Sequence, residues 1–251
     1  MNYKLLALDM DGTLLNDNLQ ISDENIHWIK QALDAGVTVI FSTGRGFVNA
    51  VEYAQQLQLE TPMITVNGSE IWARPYQLLH RTLMDSIWVE QLYALTKVFP
   101  DIWYWAYTTN GIYNIKNWSE LTSTLDQYQW LKFGSYTEDL DKLNAIKSEI
   151  KSWNSLEMSN SSIYNIELNA KGVSKASALE YLCQHLNIEM KQVIAMGDSL
   201  NDKKALEAVG LGVAMDNAQD EIKSIANFIT SSNNDHGVAK VIQKFIFNLE
   251  V

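Results

Sequence analysis

The sequence has few of the features that mark secreted or membrane proteins. It contains one cysteine, Cys183, which cannot form an internal disulfide, and the helical pattern around it predicts a small buried apolar side chain. No apolar run approaches the roughly 20 residues that a transmembrane helix needs. The first residues lead directly into a predicted strand and leave no room for a signal peptide. We therefore expect a cytoplasmic protein without a membrane partner.

Positive charge is also scarce, since 19 Lys and Arg residues stand against 30 Asp and Glu residues, for a formal net charge of −11. Nucleic acid is a poor partner for such a chain because phosphate backbones bind basic surfaces. A small phosphorylated ligand is still compatible, since a few local cations can reverse the sign of one site. Low-complexity tracts are missing as well, and 251 residues that are 47% hydrophobic can form one large or two smaller domains.

The stretch from Leu5 to Leu15 is the most informative part of the chain. Its apolar start is typical of a strand buried on both faces of a parallel sheet, and it ends in Asp9, Asp11 and Gly12. Side chains alternate along a strand, which predicts that both carboxylates project to the same side. Ligands bind at the carboxyl ends of strands in open α/β sheets, so the two acids are placed for chemistry. The alternative is a turn without function, because Asp and Gly are common turn residues.

A repeated strand and helix rhythm predicts an α/β fold with a doubly wound parallel sheet. Ser22 is expected to cap a helix that Gly36 ends. Further strands are expected at 37–41, 62–66, 193–196 and 211–214. The first three of these strands end in loops that are polar or contain glycine: Ser42-Thr43-Gly44-Arg45, Asn67-Gly68, and Gly197-Asp198-Ser199-Leu200-Asn201-Asp202.

The pattern of predicted strands and helices changes between Arg81 and Glu167. An aromatic strand at 102–109 runs into an Asn-Gly turn typical of a hairpin, and a helix at 139–153 and a strand at 162–168 follow. This mixture predicts a second α/β domain at 81–167, inserted into a core domain formed by residues 1–80 and 168–251. Six of the eight tryptophans fall in the insertion. Those of its first strand, with Tyr107, either form a platform that stacks on a substrate ring or fill the core of a small domain.

The loops that end these strands carry two kinds of chemistry. Carboxylate oxygens with room for water are suitable ligands for Mg²⁺. A hydroxyl, a lysine such as Lys175 and the backbone N–H groups of helix starts bind phosphate. Each residue alone has a structural explanation, and Asp198 and Asp202 in particular could cap the next helix. Their joint occurrence at strand ends indicates a site for phosphate and metal.

Five motifs, in the order in which they occur along the chain, resemble those of the Cof-like branch of the haloacid dehalogenase superfamily of phosphotransferases. The resemblance covers nearly the full chain and implies a Rossmann-like core with an inserted α/β cap domain. The matching segments are Asp-x-Asp-Gly-Thr at 9–13, Ser-Thr-Gly-Arg at 42–45, Lys-Gly-Val-Ser-Lys at 171–175, Gly-Asp-Ser-Leu-Asn-Asp at 197–202 and Val-Ala-Met-Asp-Asn-Ala at 213–218.

The resemblance also implies a mechanism with Mg²⁺ as cofactor. Asp9 would attack phosphorus to form an aspartyl-phosphate, and Asp11 would act as general acid and base. Asp9, the backbone carbonyl of Asp11, and Asp198 would bind the metal, and Asp202 would orient the lysine or a metal-bound water. The phosphate-binding residues implied are Met10 and Gly44 through their backbone, Thr43, Lys175 and Asn201. Asn67, just before the insertion, is expected to contact the substrate.

These expectations describe a phosphatase of small phosphorylated metabolites, with sugar phosphates ahead of flavin-precursor, nucleotide-type and pyridoxal phosphates. A phosphomutase is the main rival, because it shares the aspartyl-phosphate and must retain it. A signalling receiver is a weaker rival, since receivers are about half this length and carry their Asp on a middle strand. A binding protein without catalytic activity is disfavoured because every chemical group that the reaction needs is present. The sequence does not indicate the oligomeric state.

Overall fold

The computed structural model describes residues 3–99 and 101–250, and the chain divides into two compact units. The first unit comprises Met1–His80 and Lys175–Val251, and the second comprises Arg81–Ser174. Within the described residues, no helix combines the length and the apolar character that a bilayer span requires.

The described residues form strands in both units. They are β1 (Leu5–Leu8), β2 (Thr38–Ser42), β3 (Met63–Thr65), β4 (Glu70–Arg74), β5 (Gln77–Arg81), β6 (Trp103–Thr108), β7 (Ile112–Asn114), β8 (Trp130–Tyr136), β9 (Leu156–Ser159), β10 (Asn165–Ala170), β11 (Val193–Gly197), β12 (Leu211–Ala214) and β13 (Phe228–Ile229).

The α-helices alternate with these strands through much of the chain. They are α1 (Asp23–Asp34), α2 (Phe47–Gln56), α3 (Ser86–Val98), α4 (Leu140–Trp153), α5 (Lys175–Leu186), α6 (Lys203–Ala208), α7 (Asp220–Ile225) and α8 (Gly237–Phe245).

The first unit is built on one sheet with the order β13-β12-β11-β1-β2-β3-β4-β5. The strands from β13 to β3 are parallel, and β4 pairs with β3 in the antiparallel direction. The central strand β1 is completely buried, because it is covered on both faces as its unbroken apolar sequence predicts. The predicted α/β fold with a mostly parallel sheet is therefore confirmed. Strands β4 and β5, at the end of this sheet, were not expected from the sequence.

Helix α1 shows how local sequence sets an element's bounds. The Ser22 hydroxyl accepts a hydrogen bond from the backbone N–H of Asn25 and caps the helix, as predicted. At the other end Gly36 has a φ of +82°, a conformation that glycine adopts without steric cost. Helix α1 packs against α8. Cys183 is buried in α5, and its burial raises the pKa of the thiol to about 11, as suits the predicted structural role.

The second unit contains an antiparallel sheet with the order β7-β6-β8-β10-β9. Helices α3 and α4 pack on it and enclose a core that contains Trp118 and Trp130, with Trp88 and Trp153 packed at its border. Trp103 and Trp105 lie outside this core, on the face of β6 opposite to Tyr104 and Ala106. Four of the six tryptophans of the insertion therefore fill or border the core.

The second boundary of the insertion differs from the prediction. It was expected between residues 167 and 168, and the structure places it between Ser174 and Lys175. The reason is the extent of β10, which continues to Ala170 and pairs with β9 through its last residues. Residues 168–174 therefore belong to the inserted unit, and the helix that carries Lys175 starts the return to the first unit.

Candidate active site

The candidate site lies at the carboxyl edge of the parallel sheet in the first unit. Strands β11, β1, β2 and β3 are neighbours in that sheet, so the loops that follow them meet at one edge. These are the loops that carry the predicted carboxylates, hydroxyl, glycine and amides.

Lys175, the first residue of α5, joins two of these loops through a buried ion network. Its Nζ lies 2.6 Å from Oδ1 of Asp9 and 2.7 Å from Oδ1 of Asp202. The lysine side chain is 1% exposed. An ammonium ion at such a position is retained only when its charge is compensated, which explains why two carboxylates contact it.

The carboxylates of the site outnumber its buried cation. Asp9, Asp198 and Asp202 each offer an oxygen within 4.8 Å of the others, and Lys175 is the buried ammonium ion that faces this cluster. With all three carboxylates ionised, the cluster and its ammonium carry a net charge of −2. Burial, opposed by Lys175 and reinforced by the charge of Asp202, raises the pKa of Asp9 from 3.8 to about 7. Burial and the charge of Asp9 also raise the pKa of Asp198 well above its ordinary value.

The three carboxylates of this cluster have different surroundings. Both oxygens of Asp202 are engaged, because Oδ1 accepts from Lys175 and Oδ2 accepts from the backbone N–H groups of Asp198 and Ser199. Among the described residues, Oδ1 of Asp198 is buried and has no hydrogen-bond partner. Asp202 therefore holds the loop and the lysine in place, while Asp198 keeps an oxygen available for a ligand.

Gly12 allows the loop after β1 to approach Asp198. Its φ is +74°, and a Cβ at this position would lie 2.6 Å from Oδ2 of Asp198. Any larger residue would therefore clash with a carboxylate of the cluster. Asn217 fixes the same loop, since its Nδ2 donates to the carbonyl of Gly12 at 2.8 Å. The loops near residues 12 and 198, distant in sequence, are in contact.

Asp11 is in a different environment from Asp9. Asp9 is buried, whereas the side chain of Asp11 is 52% exposed and forms a bidentate ion pair with Arg45. The charge of Asp11 contributes to raising the pKa of Asp9, which shows that the two carboxylates interact. The Asp9 carboxylate is therefore desolvated, whereas the Asp11 carboxylate is accessible to solvent.

The predicted phosphate-binding residues surround the same edge. Met10 and Thr43 are buried, and the Thr43 hydroxyl accepts from the backbone N–H of Arg45 at 3.1 Å. Asn201 donates through Nδ2 to Oδ1 of Asn67 at 3.3 Å, which links the loops after β11 and β3. Gly44 lies between Thr43 and Arg45 in the loop after β2. The structure thus brings the predicted residues of four loops and the start of α5 to one edge.

Asn67 occupies a strained turn. Val66, Asn67 and Gly68 have φ values of +52°, +55° and +102°, and a β-branched residue such as Val rarely adopts this conformation. The turn is held by backbone hydrogen bonds from Val66 to the carbonyl of Arg45 and from Asn67 to the carbonyl of Thr43. Strain of this kind is concentrated at functional sites.

The raised pKa of Asp9 predicts how stability depends on pH when no divalent metal is present. Between about pH 4 and about pH 7 the folded protein retains a proton on Asp9 that the unfolded chain releases, so the free energy of unfolding falls as pH rises. Asp198 adds to the same trend. We expect the melting temperature in EDTA to fall from about pH 5 to about pH 7.5. The decline should be smaller in the Asp9→Asn variant, whose side chain does not titrate.

The control for this measurement is Asp34→Asn, which changes an exposed carboxylate at the end of α1. This variant should show the parent's dependence on pH. Equal slopes in the parent and in Asp9→Asn would show that Asp9 does not carry the effect.

Two residues that the structure places at the site, Arg45 and Asn217, had no role predicted from the sequence. Arg45 belongs to the recognised Ser-Thr-Gly-Arg segment, and its contact with Asp11 depends on the approach of two loops. Asn217 belongs to the segment at 213–218, and its bond to Gly12 joins residues 205 positions apart. The neighbouring motifs were a signal that these residues lie near the site, but not of what they contact.

The class of protein that this fold and site define is established by comparison with known families. Residues 6–242 match the family model of the haloacid dehalogenase-like hydrolases. The chain belongs to this family, which confirms the resemblance noted from its motifs.

Three individual relatives are similar to this chain over nearly its full length. A 5-amino-6-(5-phospho-D-ribitylamino)uracil phosphatase of Bacillus subtilis is 42% identical over 98% of this chain and 97% of its own. A second B. subtilis phosphatase of the same printed name is 32% identical over 97% of this chain and 98% of its own. The solved structure of a haloacid dehalogenase-like hydrolase from B. subtilis, 30% identical, aligns with a TM-score of 0.88 over 96% of this chain and 99% of that chain.

Proposed function

We propose that this protein is a Mg²⁺-dependent phosphatase that hydrolyses a small phosphorylated metabolite through an aspartyl-phosphate on Asp9. The observation that carries the proposal is the buried Asp9–Lys175–Asp202 network next to Asp198, which has an unpartnered carboxylate oxygen among the described residues. This arrangement leaves excess negative charge in a desolvated place. A site of this kind is suited to a divalent cation and to the phosphate that comes with it.

The residues of the site fit a magnesium ion. The donors are carboxylate oxygens, which Mg²⁺ prefers, and one of them is buried without a partner in the described part of the chain. With its carboxylates ionised, the net charge of −2 on the cluster is balanced by one divalent ion. Asp9, Asp198 and the backbone carbonyl of Asp11 would hold it, because Asp202 already accepts hydrogen bonds at both oxygens. Bound Mg²⁺ would supply the positive charge that offsets the repulsion between carboxylate and phosphate.

The repulsion between the Asp9 carboxylate and the phosphate must be offset by positive charge in the site. Two unit charges about 4 Å apart repel by roughly 4 kcal/mol at an effective dielectric constant of about 20, which is about three powers of ten in rate. Lys175 contributes a positive charge 2.6 Å from the Asp9 carboxylate and remains charged, because the nearby carboxylates outweigh burial and raise its pKa. The Thr43 hydroxyl, the Asn201 amide and the backbone N–H groups of Met10 and Gly44 would orient the phosphate oxygens.

The chain's own residues account for the two chemical steps. The Asp9 carboxylate forms a bond to phosphorus as the bond from phosphorus to the substrate oxygen breaks, and Asp11 gives its proton to that oxygen. Asp11 then takes a proton from a water whose oxygen attacks the aspartyl-phosphate, which releases phosphate and restores both carboxyl groups. The partial exposure of Asp11 supports this role, because its carboxyl group can meet both the leaving oxygen and water.

We propose 5-amino-6-(5-phospho-D-ribitylamino)uracil, of the flavin-precursor class, as the substrate. Two relatives that cover nearly the whole chain carry this activity in their names, which supports it over the sugar phosphates favoured from the sequence. The two classes share their reactive end, since in both the phosphate esterifies an alcohol of a polyhydroxylated carbon chain. Their chemistry at Asp9 would therefore be the same, and discrimination would come from the rest of the molecule.

The substrate proposal is tested by phosphate release with Mg²⁺, comparing the ribitylamino-uracil phosphate with glucose 6-phosphate, a nucleoside monophosphate and pyridoxal phosphate. We expect kcat/KM for the first to exceed the others by at least about tenfold, with Asp9→Asn as the blank. A higher value for a sugar phosphate would overturn the substrate and leave the phosphatase intact. Isomerised phosphosugar with little free phosphate would instead indicate a phosphomutase.

The metal proposal is tested without measuring activity. Mg²⁺ should raise the parent's melting temperature, because a ligand at about 100 times its Kd stabilises the folded state by about 2.7 kcal/mol. Asp198→Asn should lose most of this increase, because it removes the charge of the carboxylate whose Oδ1 has no hydrogen-bond partner in the described part of the chain. Asp34→Asn is the matched control and should keep it. An equal increase in the parent and in Asp198→Asn would place the ion elsewhere.

A further inference from the structure

Arg45 is the side chain that holds the Asp11 carboxylate. Its Nε lies 2.8 Å from Oδ2 and its Nη2 lies 2.6 Å from Oδ1, so the planar guanidinium meets the planar carboxylate at two points. Among the described residues, no other side chain hydrogen-bonds this carboxylate. Because half of the Asp11 side chain is exposed, little else restricts its rotation.

Arg45 is itself held on several sides. Its backbone N–H donates to the Thr43 hydroxyl, and its carbonyl accepts from the N–H of Val66 in the strained turn after β3. Its guanidinium lies over the ring of Tyr53, 5.2 Å from the ring centre, and Tyr53 is anchored by a hydrogen bond from its hydroxyl to the carbonyl of Leu19. The Arg45 side chain is 19% exposed. A partly buried and fixed arginine therefore faces a more exposed aspartate.

We propose that Arg45 is a positioning residue that fixes the direction of the Asp11 carboxyl group for proton transfer to and from the reacting oxygens. The proposal rests on the phosphatase function proposed above and assigns a role that the phosphate and metal ligands do not fill. A carboxylate has about four lone-pair directions, and a bidentate arginine uses two. One of the other two can carry the proton that Asp11 gives to the leaving oxygen and can later accept a proton from water, and its direction is set by the pair with Arg45.

The proposal predicts a dependence on the leaving group. When an alkyl ester is cleaved, the departing alkoxide needs the proton of Asp11 as its bond to phosphorus breaks. A 4-nitrophenolate departs without protonation because the ring and the nitro group spread its charge. Since kcat/KM covers only the steps through formation of the aspartyl-phosphate, it reports this proton transfer separately from the later attack of water.

The experiment compares kcat/KM of the full-length protein for an alkyl phosphate that the parent hydrolyses and for 4-nitrophenyl phosphate. We expect Arg45→Met to lower the value for the alkyl ester by about 10- to 100-fold and that for the aryl ester by less than about threefold, since general acid catalysis contributes about 10² to 10⁴. Arg45→Lys should give an intermediate loss, because lysine keeps the charge without the bidentate geometry. In an Asp11→Asn background, adding Arg45→Met should cost little more, because both changes act on one proton transfer.

Arg74→Met is the matched control. Arg74 is an exposed arginine of the same unit that bonds to Gln77, and its replacement should leave both substrates unaffected. Equal losses of Arg45→Met on the two substrates would overturn the proposal in favour of a structural or phosphate-binding role. Unchanged or increased activity on the alkyl ester would overturn it as well. A parent that hydrolyses neither ester would refute the proposed function itself.

Discussion

Asp9→Asn is expected to lower kcat by at least about a thousand-fold on every substrate, because loss of the nucleophile removes the covalent route and not one contact within it. The amide does not attack phosphorus as a carboxylate does, and it presents an N–H₂ group where Lys175 now donates 2.6 Å away. The measurement is steady-state phosphate release, with mass spectrometry of the variant to exclude deamidation back to Asp.

The folded state should survive this substitution, which separates a chemical defect from a structural one. Asp9 is one of three carboxylates near one ammonium, and burial raises its pKa to about 7. Removing its charge relieves repulsion, so we expect the melting temperature in EDTA at about pH 7.5 to equal or exceed that of the parent. Activity within about tenfold of the parent, in a variant whose mass confirms that the amide is intact, would refute a covalent role for this residue.

Lys175→Met is expected to produce the largest loss of stability among the site variants. The change removes the cation that lies 2.6 Å from Asp9 and 2.7 Å from Asp202 and leaves their charges uncompensated in a buried place. Breaking a buried ion pair on one side costs about 3 to 5 kcal/mol, which we expect in urea denaturation with EDTA at about pH 7.5. Activity should fall by about 10² to 10³, as for loss of one preorganised charge.

Two comparisons make the Lys175 result interpretable. Lys203→Met removes a partly exposed lysine that pairs with Glu221, and it should change the free energy of unfolding by less than about 1 kcal/mol. The double variant Lys175→Met with Asp202→Asn should be more stable than Lys175→Met alone, since it removes one of the stranded carboxylates. If Lys175→Met cost no more than Lys203→Met, the network would not stabilise the fold.

Much of the first unit could be predicted because its signals are local. An unbroken apolar run defines β1, and the residues that end β1, β2, β3 and β11 reach one edge because parallel strands point the same way. The ends of α1 could be predicted from local signals as well, because Ser22 is an N-cap residue and Gly36 follows the last turn. The same local signals indicated the candidate site residues.

The central strand of the second unit was missed because its pattern is misleading. Strand β8 contains Lys132 and Gly134, which interrupt the expected alternation of apolar residues. Lys132 is nevertheless buried, since its Nζ lies 3.0 Å from Oε1 of Glu167 on β10 and 4.7 Å from the ring centre of Tyr107 on β6. Its partners are supplied by neighbouring strands, so the sequence around Lys132 does not reveal them.

What the sequence determined by itself is therefore the alternation of strands and helices that forms the parallel sheet, the edge at which the reactive groups gather and the family to which the chain belongs. The tertiary structure decided which carboxylate contacts which cation. Asp202 is bonded to Lys175 and to its own loop, Asp198 retains an oxygen without a partner among the described residues, and Asp11 faces Arg45. The physical reason is the range of the interactions: strand and helix patterns act over a few residues, whereas a buried charge is compensated by whatever group the folded chain brings within about 3 Å.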